Sequence, residues 1–183
     1  MLAIFHSRLL EQLIFKYKKM EAKNIVDLKG KTKKITCLGC DREKGLIDLG
    51  DIVKSKYFDA HQDYEIPIPG FVIVSSRRHI QSIDEFTEDE QIDFIKFLSR
   101  LRLAQRKILG IEVIYLIQEE DTSHHFHIWM FPRFDWMEEK FGRKIQSVRP
   151  IMEYARENLK TEDNIKEVEI ATEKLKNFFE SNI

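Results

Sequence analysis

Two hydrophobic periodicities divide this chain. Near the start, Leu2, Phe5 and Leu9 share a helical face beside Leu10, Leu13, Ile14 and Tyr17, while Lys16, Lys18 and Lys19 lie elsewhere. That spacing predicts an amphipathic helix over 2–22. Gly30 and the lysines around it read as a linker, and CLGCDREKG at 37–45 as a tight knuckle. Strand character appears in LIDLGDIV and KYFDAH, within 46–61, and PIPG at 67–70 is punctuation before the apolar run FVIVSS. Thr87 and Glu90 form a capping box. The helix it opens carries Ile92, Ile95, Leu98, Leu101 and Ile108 at helical spacing and stops at Gly110. IEVIYLIQ, 111–118, and HHFHIWMF, 124–131, read as strands. Beyond Pro132 the character changes. Pro150 suits a helix start, and Met152, Tyr154, Leu159, Ile165, Val168, Leu175 and Phe178 predict two charged, amphipathic helices. Strands, one long helix, two more strands and helices at both ends make an α+β fold with a mostly antiparallel sheet.

Composition narrows the function classes. The chain has 183 residues, 43% hydrophobic and 33% charged, with net charge −1. This is a globular balance with no whole-chain field favouring nucleic acid or an anionic membrane. The basic cluster KGKTKK at 29–34 has no interleaved aromatics and reads as a solvated loop. No apolar run approaches the length of a membrane span, and the start lacks the layout of a signal peptide. A cytoplasmic protein is the expectation. Its two cysteines, Cys37 and Cys40, are too close for a good structural disulfide and point to metal or redox chemistry. The redox reading is the weaker, because the usual βαβ context is absent.

Three of six histidines crowd into SHHFHIWMFPR, 123–133. On a strand, alternation puts His125, His127, Trp129 and Phe131 on one face. His124, Phe126, Ile128 and Met130 fall on the other, core-facing side. Two imidazoles on one face suit metal ligation or nucleophilic and acid–base catalysis near neutral pH.

HFHIWMFPR resembles the signature of the histidine-triad (HIT) superfamily, in which histidine and apolar residues alternate and Pro-Arg follows. GFVIVSSRRHI, 70–80, resembles that family's strand-plus-basic-histidine segment, with Ser76 where a proline is usual. The resemblance covers 37–133. It implies a HIT-like catalytic domain there, an N-terminal helix and linker over 1–36, and a C-terminal helical extension over 134–183 packed on the same domain. Matching Pro132 and Arg133 makes His125, His127 and Trp129 the three motif positions. A rival register would use Ser123, His125 and His127.

In this family the second histidine is the nucleophile, which maps to His127. A neutral imidazole nitrogen attacks the α-phosphorus of a nucleotide, giving a nucleotidyl-histidine that water or another acceptor resolves. Cys37, Cys40, His79 and His125 match a structural zinc set found in relatives, with His124 the alternative fourth ligand. Trp129 departs from the family. Where relatives carry histidine or glutamine, indole can donate a hydrogen bond but cannot shuttle a proton. Proton delivery then falls to Ser123, His124 or a substrate-bound metal, or the leaving group needs little of it. Gln118 matches a position facing the scissile phosphate and Asp63 the family's ribose-binding acid; His61 and Gln62 sit beside Asp63 and are candidates to line the base pocket. Arg133 is a phosphate-binding candidate.

The implied activity is nucleotide hydrolysis at the α-phosphorus, with dinucleoside polyphosphates, as in the diadenosine polyphosphate hydrolase-like branch, the favoured class. Alternatives are a nucleotidyltransferase or phosphorylase using the same intermediate, and a zinc-stabilised nucleotide-binding module without turnover. The implied partners are a nucleotide and, as in many relatives, a second copy of the chain.

Overall fold

The structure is a computed structural model that describes residues 22–121 and 124–181. The expected helix over 2–22 and residue Ser123 lie outside the described residues.

Residues 23–36 are not a linker. They form a two-stranded antiparallel hairpin, β1 (Lys23–Val26) and β2 (Thr32–Ile35). Asp27 closes its turn by accepting the backbone N–H groups of Lys29 and Lys31 through Oδ1. Ile25 and Ile35 are buried against Ile47, which gives the hairpin a small apolar anchor that a linker reading overlooks. The knuckle contains one short helix, α1 (Leu38–Glu43).

Five strands then build the main sheet: β3 (Asp51–Lys54), β4 (Phe58–Gln62), β5 (Val72–Ser76), β6 (Val113–Gln118) and β7 (His127–Arg133). Their spatial order is β3-β4-β5-β7-β6, antiparallel throughout. The long helix α2 (Glu88–Leu109) crosses between β5 and β6. Its start is fixed by the reciprocal Thr87–Glu90 capping box, its end by Gly110 in the left-handed conformation.

Alternation along the strands gives the sheet two buried faces. Phe58, Ala60, Val72, Val74 and Met130 point toward α2 and join Phe94, Phe97, Leu98 and Leu101. Ile92 and Ile95, expected on the buried stripe of α2, are instead 46% and 58% exposed. The aromatic stripe wins because Phe94 interlocks edge-on with Phe86 and Phe126 and also packs on Phe58.

The opposite face carries Ile73, Trp129 and Phe131, covered by α3 (Asp135–Phe141) and α4 (Val148–Asn158) through Met137, Val148, Ile151 and Ala155. The helix α3 was not anticipated from the sequence. The last helix, α5 (Glu162–Glu180), puts Leu175 and Phe179 into the core on the α2 side.

Candidate active site and metal centre

The short helix α1 is pinned to the sheet by one side chain. Arg42 is buried, donates from Nε to Asp59 Oδ2 at 2.6 Å and from Nη1 to Leu49 O at 2.7 Å, and also pairs with Asp51. Asp41 accepts the Thr36 N–H at 3.0 Å. These contacts hold Cys37 and Cys40 over the start of β7.

There the thiols meet two imidazoles. Cys37 Sγ lies 3.2 Å from His125 Nδ1 and 3.6 Å from His79 Nδ1. Cys40 Sγ lies 3.2 Å from His79 Nδ1 and 3.6 Å from His125 Nδ1. The two Nδ1 atoms are 3.2 Å apart. A tetrahedron with zinc–sulfur bonds of about 2.3 Å and zinc–nitrogen bonds of about 2.05 Å has N–S edges of about 3.6 Å and an N–N edge of about 3.3 Å. The four donor atoms therefore already stand at the corners a zinc ion requires, all within 4.8 Å of one another.

The surroundings fit the same ion. His125 Nε2 donates to the Ser76 carbonyl at 2.6 Å, which leaves the Nδ1 lone pair facing the cluster. A Cβ on Gly39 would come 2.5 Å from His125 Nε2, so the CxxC turn needs glycine for close approach to the ring. Burial and the neighbouring Cys37 push the Cys40 thiol up to about 11, a proton that metal binding must displace. The donor set is complete, leaving no position for substrate, so the centre is structural.

Beside this centre a cleft of about 560 Å³ opens on the sheet face between the hairpin and α4. His127, the first residue of β7, lines it. His127 Nδ1 donates to the His125 carbonyl at 3.1 Å, so Nε2 is the free nitrogen and bears the lone pair. Burial holds the imidazole below its ordinary range, with the His125 carbonyl opposing. His124 also lines the cleft. Alternation assigned it to the opposite face, but the ladder begins only at His127, so the rule does not reach it.

Cross-strand register lays out the cleft floor. Asp59, Ser75 and His127 are neighbours across β4, β5 and β7, and His61, Ile73 and Trp129 form the next row. His61 is buried, 3.7 Å from the Asp59 carboxylate, and neither ring nitrogen has a hydrogen-bond partner among the described residues. Burial and then the Arg42 charge hold it well below the usual histidine range, hence neutral. The Ser75 hydroxyl is likewise buried and unpartnered. Asp63, at the end of β4, lines the cleft and accepts the N–H groups of Glu65 and Ile66 at 2.8 and 2.7 Å. Burial pushes its carboxyl up to about 6 against those hydrogen bonds.

Three of the sequence candidates are not brought here. Gln118 pairs with Ile128, so its side chain lies on the other face of the sheet, and its amide donates to Glu120 at 3.0 Å. The Gln62 amide is consumed within the following loop, donating to Ile68 O and accepting the Gly70 N–H. Arg133 stands six residues along β7 from His127, roughly 20 Å away. There it donates to Ser147 Oγ and the Gly142 carbonyl, tying β7 to the segment before α4.

Sequence reasoning missed Arg149 and Arg156 on α4. Both line the cleft, with Met152 between them at helical spacing. The available signal was a pair of arginines seven apart, bordering the apolar positions Val148, Ile151 and Ala155. A larger groove of about 900 Å³ lies between the end of α2 and the helices α3 to α5, but the described residues that line it include no histidine or cysteine.

No protein-family model matches the sequence, and no curated protein is significantly similar to it. Solved structures do match the fold. A zinc-bound histidine triad family protein from Mycobacterium smegmatis superposes with a TM-score of 0.56 at 15% identity, covering 80% of this chain and 97% of that one. A HIT family protein from Bacillus anthracis gives 0.52 at 23% identity, covering 67% and 89%. A Hit-like protein involved in cell-cycle regulation from Bartonella henselae gives 0.51 at 17% identity, covering 74% and 95%. The chain has the α+β fold of the histidine-triad proteins.

Proposed function

We propose that the chain is a zinc-stabilised nucleotide hydrolase in which His127 attacks the α-phosphorus of a nucleotide. The observation that carries this reading is the His127 imidazole itself. Its Nδ1 is committed to a backbone carbonyl and its Nε2 lone pair is left to the cleft. That arrangement prepares a nitrogen nucleophile without any further proton transfer.

The other groups suit a nucleotide lying along the cleft. Asp63 would accept the ribose hydroxyls, and the unpartnered nitrogens of His61, one donor and one acceptor, would meet polar atoms of the nucleoside. Arg149 and Arg156 bring cations to the opposite wall, as phosphate requires. Cys37, Cys40, His79 and His125 would hold zinc, which fixes the His125 carbonyl and so the His127 tautomer. Dinucleoside polyphosphates are the favoured substrate class. A transferase or phosphorylase with the same intermediate differs only in the acceptor.

The test is a thermal-shift and turnover screen against nucleoside monophosphates, phosphoramidates and dinucleoside polyphosphates, with His127→Asn alongside. Ligand stabilisation in both proteins, with turnover only in the wild type, is expected. Turnover retained by His127→Asn contradicts the mechanism.

A further inference from the structure

Trp129 stands where the motif would otherwise supply a polar or proton-donating side chain, and its surroundings give it a different task. The indole is 9% exposed, set edge-on against Phe71 at 5.9 Å and 6.3 Å from the His127 ring. Over it lies the Arg149 guanidinium, 4.9 Å from the indole ring. Arg149 comes from the first turn of α4, outside the segment that carries the motif. One guanidinium nitrogen donates to Glu119. The planar fork keeps further donors beyond that one, and Arg149 lines the same cleft as His127 and Trp129. Arg156, about two turns further along α4, lies 3.5 Å from Glu65 and near enough to Asp63 for its charge to act there. With ribose at Asp63 and phosphorus at His127, departure in line with Nε2 sends the leaving group off the sheet toward the wall that carries Arg149, which lies over Trp129 in the neighbouring row.

We propose that Trp129 is a platform holding Arg149 against the departing group, so that the site releases a phosphate or polyphosphate and discriminates against groups that must leave as an amine. This rests on the reading of His127 as the nucleophile. An indole face fixes a guanidinium plane by stacking, and a guanidinium matches two phosphate oxygens at once. In the first step His127 Nε2 forms a bond to the α-phosphorus. The bond from phosphorus to the bridging oxygen breaks, and its electron pair stays on that oxygen as phosphate anion charge. No proton moves, and Arg149 stabilises the charge that develops. A phosphoramidate would have to expel an amide anion or gain a proton first; neither Trp129 nor Arg149 can supply one, so such turnover would have to draw on His124, which also lines the cleft. In the second step water bonds to phosphorus, the P–N bond returns its pair to Nε2, and the water's proton goes to solvent.

The experiment compares a dinucleoside polyphosphate with a phosphoramidate of the same nucleoside in wild type, Arg149→Ala, Arg149→Lys and Trp129→Phe. Wild type should prefer the polyphosphate in kcat by at least about a hundredfold. Arg149→Ala should lower kcat on the polyphosphate by about ten- to a hundredfold and cost the phosphoramidate at most a few-fold. Arg149→Lys, which keeps charge without the fork, should recover only part, and Trp129→Phe, which keeps a ring face, most. Binding separates this inference from the nucleophile assignment. In His127→Asn, a nucleoside diphosphate should bind about tenfold tighter than the monophosphate, and adding Arg149→Ala should erase the difference. Equal rates for both substrate classes, or Arg149→Ala without effect on the polyphosphate, overturn the inference while His127 stands. Activity that survives His127→Asn removes the nucleophile reading, and the diphosphate preference then decides the role of Arg149 by itself.

Discussion

His61 carries a clear cost of burial. A buried imidazole with two unpartnered nitrogens forfeits about 1–3 kcal/mol for each group left unsatisfied. His61→Phe should therefore raise the melting temperature by a few degrees and weaken nucleoside binding about tenfold, measured by calorimetry on the same samples. A variant that loses stability instead would show that the ring is satisfied. Asp63 makes a second prediction, with the opposite sign from the usual carboxylate. Its folded pKa, about 6, stands above the ordinary 3.8. The folded state therefore binds the extra proton, and stability falls as pH rises from about 4 to about 6. The proposed ribose contact would need the carboxylate, so affinity for an unphosphorylated nucleoside should rise over the same window, and Asp63→Asn should abolish that rise. At this scale, legibility followed the chemistry. His125, His127 and Asp63 sit in the cleft or its support because their spacing from Pro132 and Gly70 encodes the register. Gln118, Gln62 and Arg133 were misplaced because an amide or guanidinium is as useful to a loop as to a ligand, and single-residue chemistry does not choose between them.

Among the elements, α1, the segment after β5 and the approach to β7 are tied together by the Cys37, Cys40, His79 and His125 cluster. Stripping zinc with a chelator should lower the melting temperature by more than about 10 °C and release protons as metal returns. Gly39→Ala forces a methyl into the His125 ring and should reduce zinc affinity about ten- to a hundredfold while the sheet keeps its circular dichroism. Zinc stoichiometry unchanged in Gly39→Ala would contradict the packing described. The strands and α2 were legible because period-two runs and a capping box are local signals. The buried face of α2 was not, since Ile92 and Phe94 offer competing stripes and only the Phe58–Phe86–Phe126 cluster selects between them. The hairpin over 23–35 was hidden by its lysines, which face outward while Ile25 and Ile35 alone point in.

For the whole molecule, the C-terminal helices are part of the core and of the cleft. Deleting residues 162–183 removes Val168, Leu175 and Phe179 from burial, at about 1.5–3 kcal/mol each, enough to exhaust much of a marginal stability of about 5–15 kcal/mol. The truncated chain should be largely unfolded or insoluble at 37 °C. The helix α4 adds Arg149 and Arg156, so the cleft is assembled from two distant parts of the sequence and the second was invisible to motif reasoning.

The proposed mechanism requires a covalent bond between His127 Nε2 and phosphorus. Acid-free quenching of the zinc-loaded protein within milliseconds of mixing with a dinucleoside polyphosphate, followed by mass spectrometry of its peptides, tests that bond directly. A nucleoside monophosphate adduct on His127, absent from His127→Asn, is the expected result. Turnover with no adduct on His127, or an adduct carried by another residue, would contradict it.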